Sequence, residues 1–169
     1  MRPNENNSKI CNRIVTRLMN DVEAAVHLIG TAKVYKNIFK GDVEHILQQV
    51  LPPIKLNQYR VFRRGDRPFA YTSWAFMDDK SSNRFKQTGL IEDESWWNNG
   101  KTIWHMDTIC NDGNVLTLHR WTQRNLAEQV GDKQKINWIR LGYDKFGEVK
   151  IKKQGYAFTK GEKNYGFDS

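Results

Sequence analysis

The chain has 169 residues, 27 Lys and Arg against 19 Asp and Glu, a formal net charge of +8 and a mean hydropathy of -0.74. That length suits one domain with its own core, and no apolar run approaches the ~18 residues of a membrane span, so a soluble chain without membrane contacts is expected. Cys11 and Cys110 are too few for a disulfide framework, and His27, His45, His105 and His119 show no metal-ligand spacing, so no metal is expected.

The opening residues lack the apolar core of a signal peptide, which leads to an expectation of a cytoplasmic protein. Ile10, Ile14, Leu18, Val22, Ala25, Val26 and Ile29 then recur at helical spacing and predict a long amphipathic helix over roughly 8–30, ended by Gly30. A second helix is expected from Gly41-Asp42, with Asp42 as its cap, a buried stripe of Val43, Ile46, Leu47 and Val50, and a stop at Pro52-Pro53. Residues 57–63 and 69–76 are rich in aromatic and β-branched types around the turn Arg64-Gly-Asp-Arg-Pro68, which reads as an antiparallel hairpin with Tyr59 and Val61 on one face.

A short helix is expected over 82–87, then a polar loop over 92–100 that carries Trp96 and Trp97. Residues 101–110 form a third strand broken by Asn111-Asp-Gly113, where Asp112 can cap the helix of 112–130 that Gly131 ends. Two more strands follow over 136–143 and 148–153 around the turn at Asp144 and Gly147, with a ragged tail from Gly155. This order makes an α+β class with one mixed, mostly antiparallel sheet flanked by helices in a single domain of 1–169, and it resembles an N-acetyltransferase-like fold. A phosphate-cradling loop for coenzyme A needs glycines at the helix N-terminus, but Cys110 to Asn114 offers one glycine and an acidic side chain, so no bound cofactor is expected.

The third strand carries Asp107, a carboxylate near a strand end of the kind where ligands gather in α/β sheets; the plainer reading is that it only turns the chain. Three segments together resemble the RTX-toxin-activating lysine acyltransferases. They are Val50-Leu-Pro-Pro-Ile-Lys-Leu-Asn-Gln-Tyr59, Pro68-Phe-Ala-Tyr-Thr-Ser-Trp-Ala75, and Trp104-His-Met-Asp107 with Asn111-Asp-Gly113; a weaker echo joins Ile139-Arg-Leu141 to Gly147-Glu-Val-Lys150. The likeness covers roughly residues 20–155, leaving 156–169 as a loose tail.

The resemblance implies transfer of a fatty acyl group from acyl carrier protein to internal lysine side chains of a protoxin, in the cytoplasm. It implies Asp107 as the catalytic aspartate, which takes a proton from the lysine amine or orients the group that does, and Arg140 as an arginine near the site; the plainer alternative for Arg140 is a surface ion pair. The family's histidine falls on Tyr35 and its asparagine on Gln49. A phenol with pKa ~10 is a far weaker base than an imidazole near 6.5, so His45, one turn before Gln49, and His105, expected on the face of Asp107, are alternative bases. Tyr71, Trp74, Trp96, Trp97 and Trp104 are candidates for an acyl tunnel, with core packing the plainer role of Trp74 and Trp104 and a lid or partner contact that of Trp96-Trp97. Cys110 reads as an inert small side chain rather than a nucleophile.

The charge of +8 suits an acidic carrier protein, and Arg60, Arg63, Arg64 and Arg67 around the hairpin give a weaker reading as a nucleic-acid-binding module. Lys150, Lys152, Lys153, Lys160 and Lys163 read as a solvated surface. A further reading is a binding protein that has lost catalysis through Tyr35. The acceptor protein, the acyl length and the oligomeric state, a homodimer included, are not fixed by the sequence.

Overall fold

The computed structural model describes residues 5–40 and 42–161. In chain order these form α1 (Glu5–Thr31), α2 (Lys33–Phe39), α3 (Val43–Lys55), β1 (Tyr59–Arg64), β2 (Arg67–Met77), α4 (Asp79–Thr88), a 3-10 turn (Glu94–Trp97), β3 (Thr102–Cys110), α5 (Val115–Val130), β4 (Lys135–Tyr143) and β5 (Val149–Phe158). The five strands make one mixed sheet in the order β1-β2-β3-β4-β5, antiparallel except for β3 beside β4, which α5 joins as a crossover. The α+β class with one mixed, mostly antiparallel sheet is thus as expected. Among the described residues no helix is long and apolar enough to cross a membrane.

Side chains alternate across a strand, so the sheet supports a core on each face. On one face Tyr59, Val61 and Tyr71 pack with Ala25, Leu28 and Ile29 of α1 and with Ile46 and Val50 of α3. Further along the same face Ala75, Met77 and Trp104 meet Phe85 of α4 and Trp97. On the opposite face Trp74, Ile103 and Ile136 pack with Leu126 of α5. α1 is also tied to β1 by polar contacts: the Tyr59 hydroxyl donates to Asp21 at 2.6 Å and Arg63 pairs with the other oxygen at 2.8 Å.

Several elements differ from expectation for identifiable reasons. Only the half of α1 from Leu18 onward joins the core; Ile10 and Ile14 are 55% and 51% exposed. Val43 is exposed at the start of α3, whose stripe is Ile46, Val50 and Ile54. Pro52 and Pro53 do not stop this helix: both rings are buried, their fixed φ is helical, and Leu56 N–H still donates to Pro52 O at 3.1 Å. Gly41 lies outside the described residues. The hairpin turn is tighter than expected, with only Gly65 and Asp66 between the strands and Gly65 at φ +59.

Trp97 is no lid: it is 1% exposed inside the core, held by the 3-10 turn that Asp93 caps, and Trp96 packs beside it. Asn114, not Asp112, is the N-cap residue of α5, while Asp112 accepts from Asn114 N–H and from Arg64. The tail is ordered further than expected, because Gly155 lets β5 pass beneath the Trp138 indole and pairing with β4 continues to Phe158. Residues 162–169, Lys163 among them, lie outside the described residues.

The segment after Trp97 folds back on the end of β2, where Asn99 and Gly100 N–H both donate to Phe76 O. A Cβ at Gly100 would lie 2.2 Å from Asp78 N and 2.3 Å from Met77 C, both backbone atoms that cannot swing away. Gly100→Ala is therefore expected to cost about 2–3 kcal/mol as an overpacked site. Urea unfolding measures it, and an unchanged midpoint would refute the packing described.

Candidate active site

The site begins with a miscount between two strands. Trp74 pairs with His105 and Thr72 with Thr108, so the single residue Ser73 faces both Met106 and Asp107, a β-bulge in β3. Past the bulge the alternation of β3 is reversed. Met106 joins the core under α4 and Asp107 points to that same side, whereas His105 points to α5.

A second irregularity opens space beside it. The parallel pairing of β3 with β4 ends at His105 and Trp138, although β3 continues to Cys110 along β2 and β4 continues to Tyr143 along β5. The two strands splay, and a cavity of about 540 Å³ lies in the gap, within the usual size of a small-molecule site. Met106, Asp107 and Thr108 line one edge and Ile139, Arg140 and Leu141 the other.

Asp107 is 2% exposed and takes hydrogen bonds on both oxygens. The Tyr35 hydroxyl donates to Oδ1 at 2.5 Å; Gln49 Nε2 and Ser73 Oγ donate to Oδ2 at 3.1 and 3.2 Å. Ser73 Oγ also accepts the Asp107 N–H at 3.3 Å, which satisfies an amide of the bulge. Burial raises the pKa of Asp107 and the three donors oppose it without cancelling it, so the group sits above the ordinary carboxylate value. Tyr35 stacks on Phe39, and burial plus the neighbouring carboxylate hold its phenol proton far more tightly than usual. Tyr35 is therefore a donor here and not a base.

The opposite wall carries a second polar group. His105 Nε2 lies 2.6 Å from Thr72 Oγ1 and 3.0 Å from Thr108 Oγ1, and its Nδ1 lies 3.2 Å from His119 Nδ1 on α5. Burial, then His119, pushes the pKa of His105 down to about 3. Burial, then the Arg140 guanidinium, lowers that of His119. Among the described residues no carboxylate pairs with Arg140, and no three His, Cys, Asp or Glu side chains converge as a metal site would need.

The structure thus brings Tyr35 and Gln49 onto Asp107, with Arg140 across the same cavity. It does not bring His45, which is exposed and paired with Asp42 at 3.0 Å on the first turn of α3. His105 does not share the face of Asp107, because the bulge turns the two apart. Tyr71, Trp74, Trp96, Trp97 and Trp104 do not line the cavity; its apolar wall is Ile38, Phe39, Phe85, Leu90, Ile91 and Leu141. Cys110 donates its thiol proton to Asp112, and burial raises its pKa further from thiolate. Ser73 and His119 were not singled out by the sequence. Ser73 could have been, since Thr72 and Ser73 are a polar pair inside an otherwise apolar strand.

A family model described as the RTX toxin acyltransferase family matches residues 20–153, a stretch that contains Tyr35, Gln49, Ser73, His105, Asp107, His119 and Arg140. Over 92 residues the chain is 35% identical to the protein-lysine palmitoyltransferase CyaC of Bordetella bronchiseptica, covering 52% of this chain and 47% of that one. Over 83 residues it is 29% identical to the protein-lysine myristoyltransferase HlyC of Escherichia coli, covering 48% of each. An uncharacterized Synechocystis protein, sll0720, is 29% identical over 121 residues, 70% of this chain and 78% of its own length. The chain thus spans about half the length of the two named transferases in these matches.

The buried His105 makes stability depend on pH with a definite sign. The unfolded chain protonates this group near ~6.5 and the folded one only near 3, so its contribution is intact above ~6.5 and is lost as pH falls below it. The slope from this group approaches ~1.4 kcal/mol per pH unit. Urea midpoints between about pH 7 and 5 should fall in the parent protein and fall less in His105→Asn. Equal slopes in the two proteins would refute the neutral, buried state.

Proposed function

Because this chain belongs to the RTX toxin acyltransferase family, we propose that it transfers a fatty acyl group from acyl carrier protein to internal lysine side chains of a protoxin-like protein. The observation that carries the reading is Asp107, buried, fixed by three donors and opening on a cavity with an apolar wall. The fold proposed is N-acetyltransferase-like and forms one acyltransferase domain, with the splayed parallel strands as the supporting feature. The proposed location is the cytoplasm, and no cofactor is bound: the thioester arrives on its carrier, drawn by the +8 charge.

Amide formation needs a lysine amine free of its extra proton, a thioester within reach and a positive group near the oxygen that becomes negative. Lysine is protonated at neutral pH, with an ordinary pKa of ~10.4. Asp107 attracts the ammonium and, with its raised pKa, either takes a proton or orients the group that does. Tyr35 and Gln49 fix the carboxylate, and Arg140 faces the carbonyl oxygen or the carrier's phosphate from the other edge. The apolar wall between α2, α4 and β4 suits the acyl chain.

The second reading, a fold kept for binding after catalysis was lost, is favoured by one fact: the phenol at the family's histidine position holds its proton. One assay separates the two. The protein is incubated with myristoyl- and palmitoyl-acyl carrier protein and a lysine-bearing acceptor, and acylation is read by mass spectrometry. Transfer should appear and should fall at least ~100-fold in Asp107→Asn. The melting temperature should hold or rise, because burying the ionised form of a carboxylate with raised pKa costs stability at neutral pH. No acyl mass shift with either donor would sink the transferase reading.

A further inference from the structure

The cavity has two polar walls; on the first, both oxygens of Asp107 are taken up by three donors and Tyr35 holds its proton. The wall on the α5 side has what the other lacks. His119 is half-buried, lines the cavity, and uses Nδ1 toward His105; among the described residues no hydrogen bond reaches its Nε2.

The two Nδ1 atoms, 3.2 Å apart, must share one proton, which leaves two arrangements. If His105 donates, its Nε2 is bare and can accept from only one of the hydroxyls of Thr72 and Thr108. If His119 donates, His105 carries its proton on Nε2, where two hydroxyl oxygens at 2.6 and 3.0 Å can share it. The second arrangement satisfies both contacts, and it leaves the Nε2 lone pair of His119, a residue that lines the cavity, without a hydrogen-bond partner among the described residues. The charged and titratable groups around His119 are His105 on β3 and Arg140 on β4, with Asp107 and Tyr35 on the far wall. Burial, and then Arg140, disfavours a positive charge on His119, so His119 enters the reaction neutral.

We propose that His119 is the catalytic base of this acyl transfer, with His105, Thr72 and Thr108 as positioning residues; the proposal rests on the acyltransferase reading of the same cavity. The lysine enters as its ammonium toward Asp107 and leaves one proton to water. The neutral nitrogen attacks the thioester carbonyl carbon and a C–N bond forms. Its next proton passes to His119 Nε2, the C–S bond breaks with its electron pair on sulfur, and the imidazolium returns the proton to that sulfur. Amine and thioester become amide and thiol, and Asp107 orients the amine while His119 carries the proton.

The test compares the parent protein, His119→Ala and His119→Gln in the acyl-carrier assay, with circular dichroism to confirm folding. His119→Ala should lose at least ~100-fold in kcat with KM nearly unchanged, and added imidazole should restore part of it. In the parent, kcat/KM should fall on the acid side with an apparent pKa below the ordinary ~6.5, and His119→Gln should lack that limb. An active parent with His119→Ala within about threefold of it would overturn this proposal alone. A parent without any transfer would overturn the acyltransferase reading together with it. Two-bond proton-nitrogen spectra should show a bare Nε2 on His119 in the resting protein, and a protonated Nε2 there would also overturn the proposal.

Discussion

One surplus residue in β3 sends His105 and Asp107, two polar groups this strand gives the cavity, to opposite faces of the sheet. With Ser73 opposite Met106 and Asp107, the strand's alternation reverses, so that His105 serves the α5 side and Asp107 the side of α2 and α3. An unbroken strand would place both on one face, against α5, and Tyr35 and Gln49 would have nothing to hold. The loss of pairing between β3 and β4 beyond Trp138 does the rest, since it opens a passage between the two faces at the very residues the bulge has turned.

Such a site is costly to fold. A carboxylate removed from water loses hydration that three donors at 2.5, 3.1 and 3.2 Å recover only in part, and its pKa stays raised for that reason. His105 is buried neutral among two hydroxyls and a second imidazole. The two apolar cores offset these terms. Trp74, Trp97, Trp104 and Leu28 are all but fully buried, and the α1 contacts of Tyr59 and Arg63 with Asp21 anchor the long helix over that core. The polar groups of the cavity therefore rest on strands and helices, not on loops, which fixes their directions before a substrate arrives.

Much of this was legible in the sequence because periodicity and turn chemistry are local. The hairpin around Gly65, the third strand with Asp107, the helix ended by Gly131 and the strand pair around Gly147 all stand where their residues predict them. What escaped depends on pairing. Nothing in Trp104 to Asp107 announces that its neighbour strand is one residue shorter, so His105 was expected beside Asp107. Pro52 and Pro53 read as a stop because the burial that sustains the helix through them is tertiary. Trp97, surrounded by Glu, Asp and Asn, looks solvated until its ring is seen under α4. The cavity wall of Ile38, Leu90 and Leu141 comes from three distant segments with no common motif, and His119 sits on a polar helix face that becomes a cavity wall only because β4 leans away.

The charge distribution follows the same division. At the hairpin, Arg63 is engaged by Asp21, Arg64 by Asp112, and Arg60 lies over Phe62 and Trp121, while Arg60, Arg64 and Arg67 stay exposed. Arg140 differs, standing at the cavity without a carboxylate partner among the described residues. The carboxyl group of Asp107 and the guanidinium of Arg140 then face each other across the strand gap. In the proposed transfer these two groups would sort the reactants by charge: an ammonium toward Asp107, and an oxygen that gains negative charge toward Arg140. Burial, and after it the same Arg140, disfavours a proton on the neighbouring His119, so in the proposed transfer one guanidinium bears both on the acceptor of the proton and on the oxygen that attack on the carbonyl makes negative.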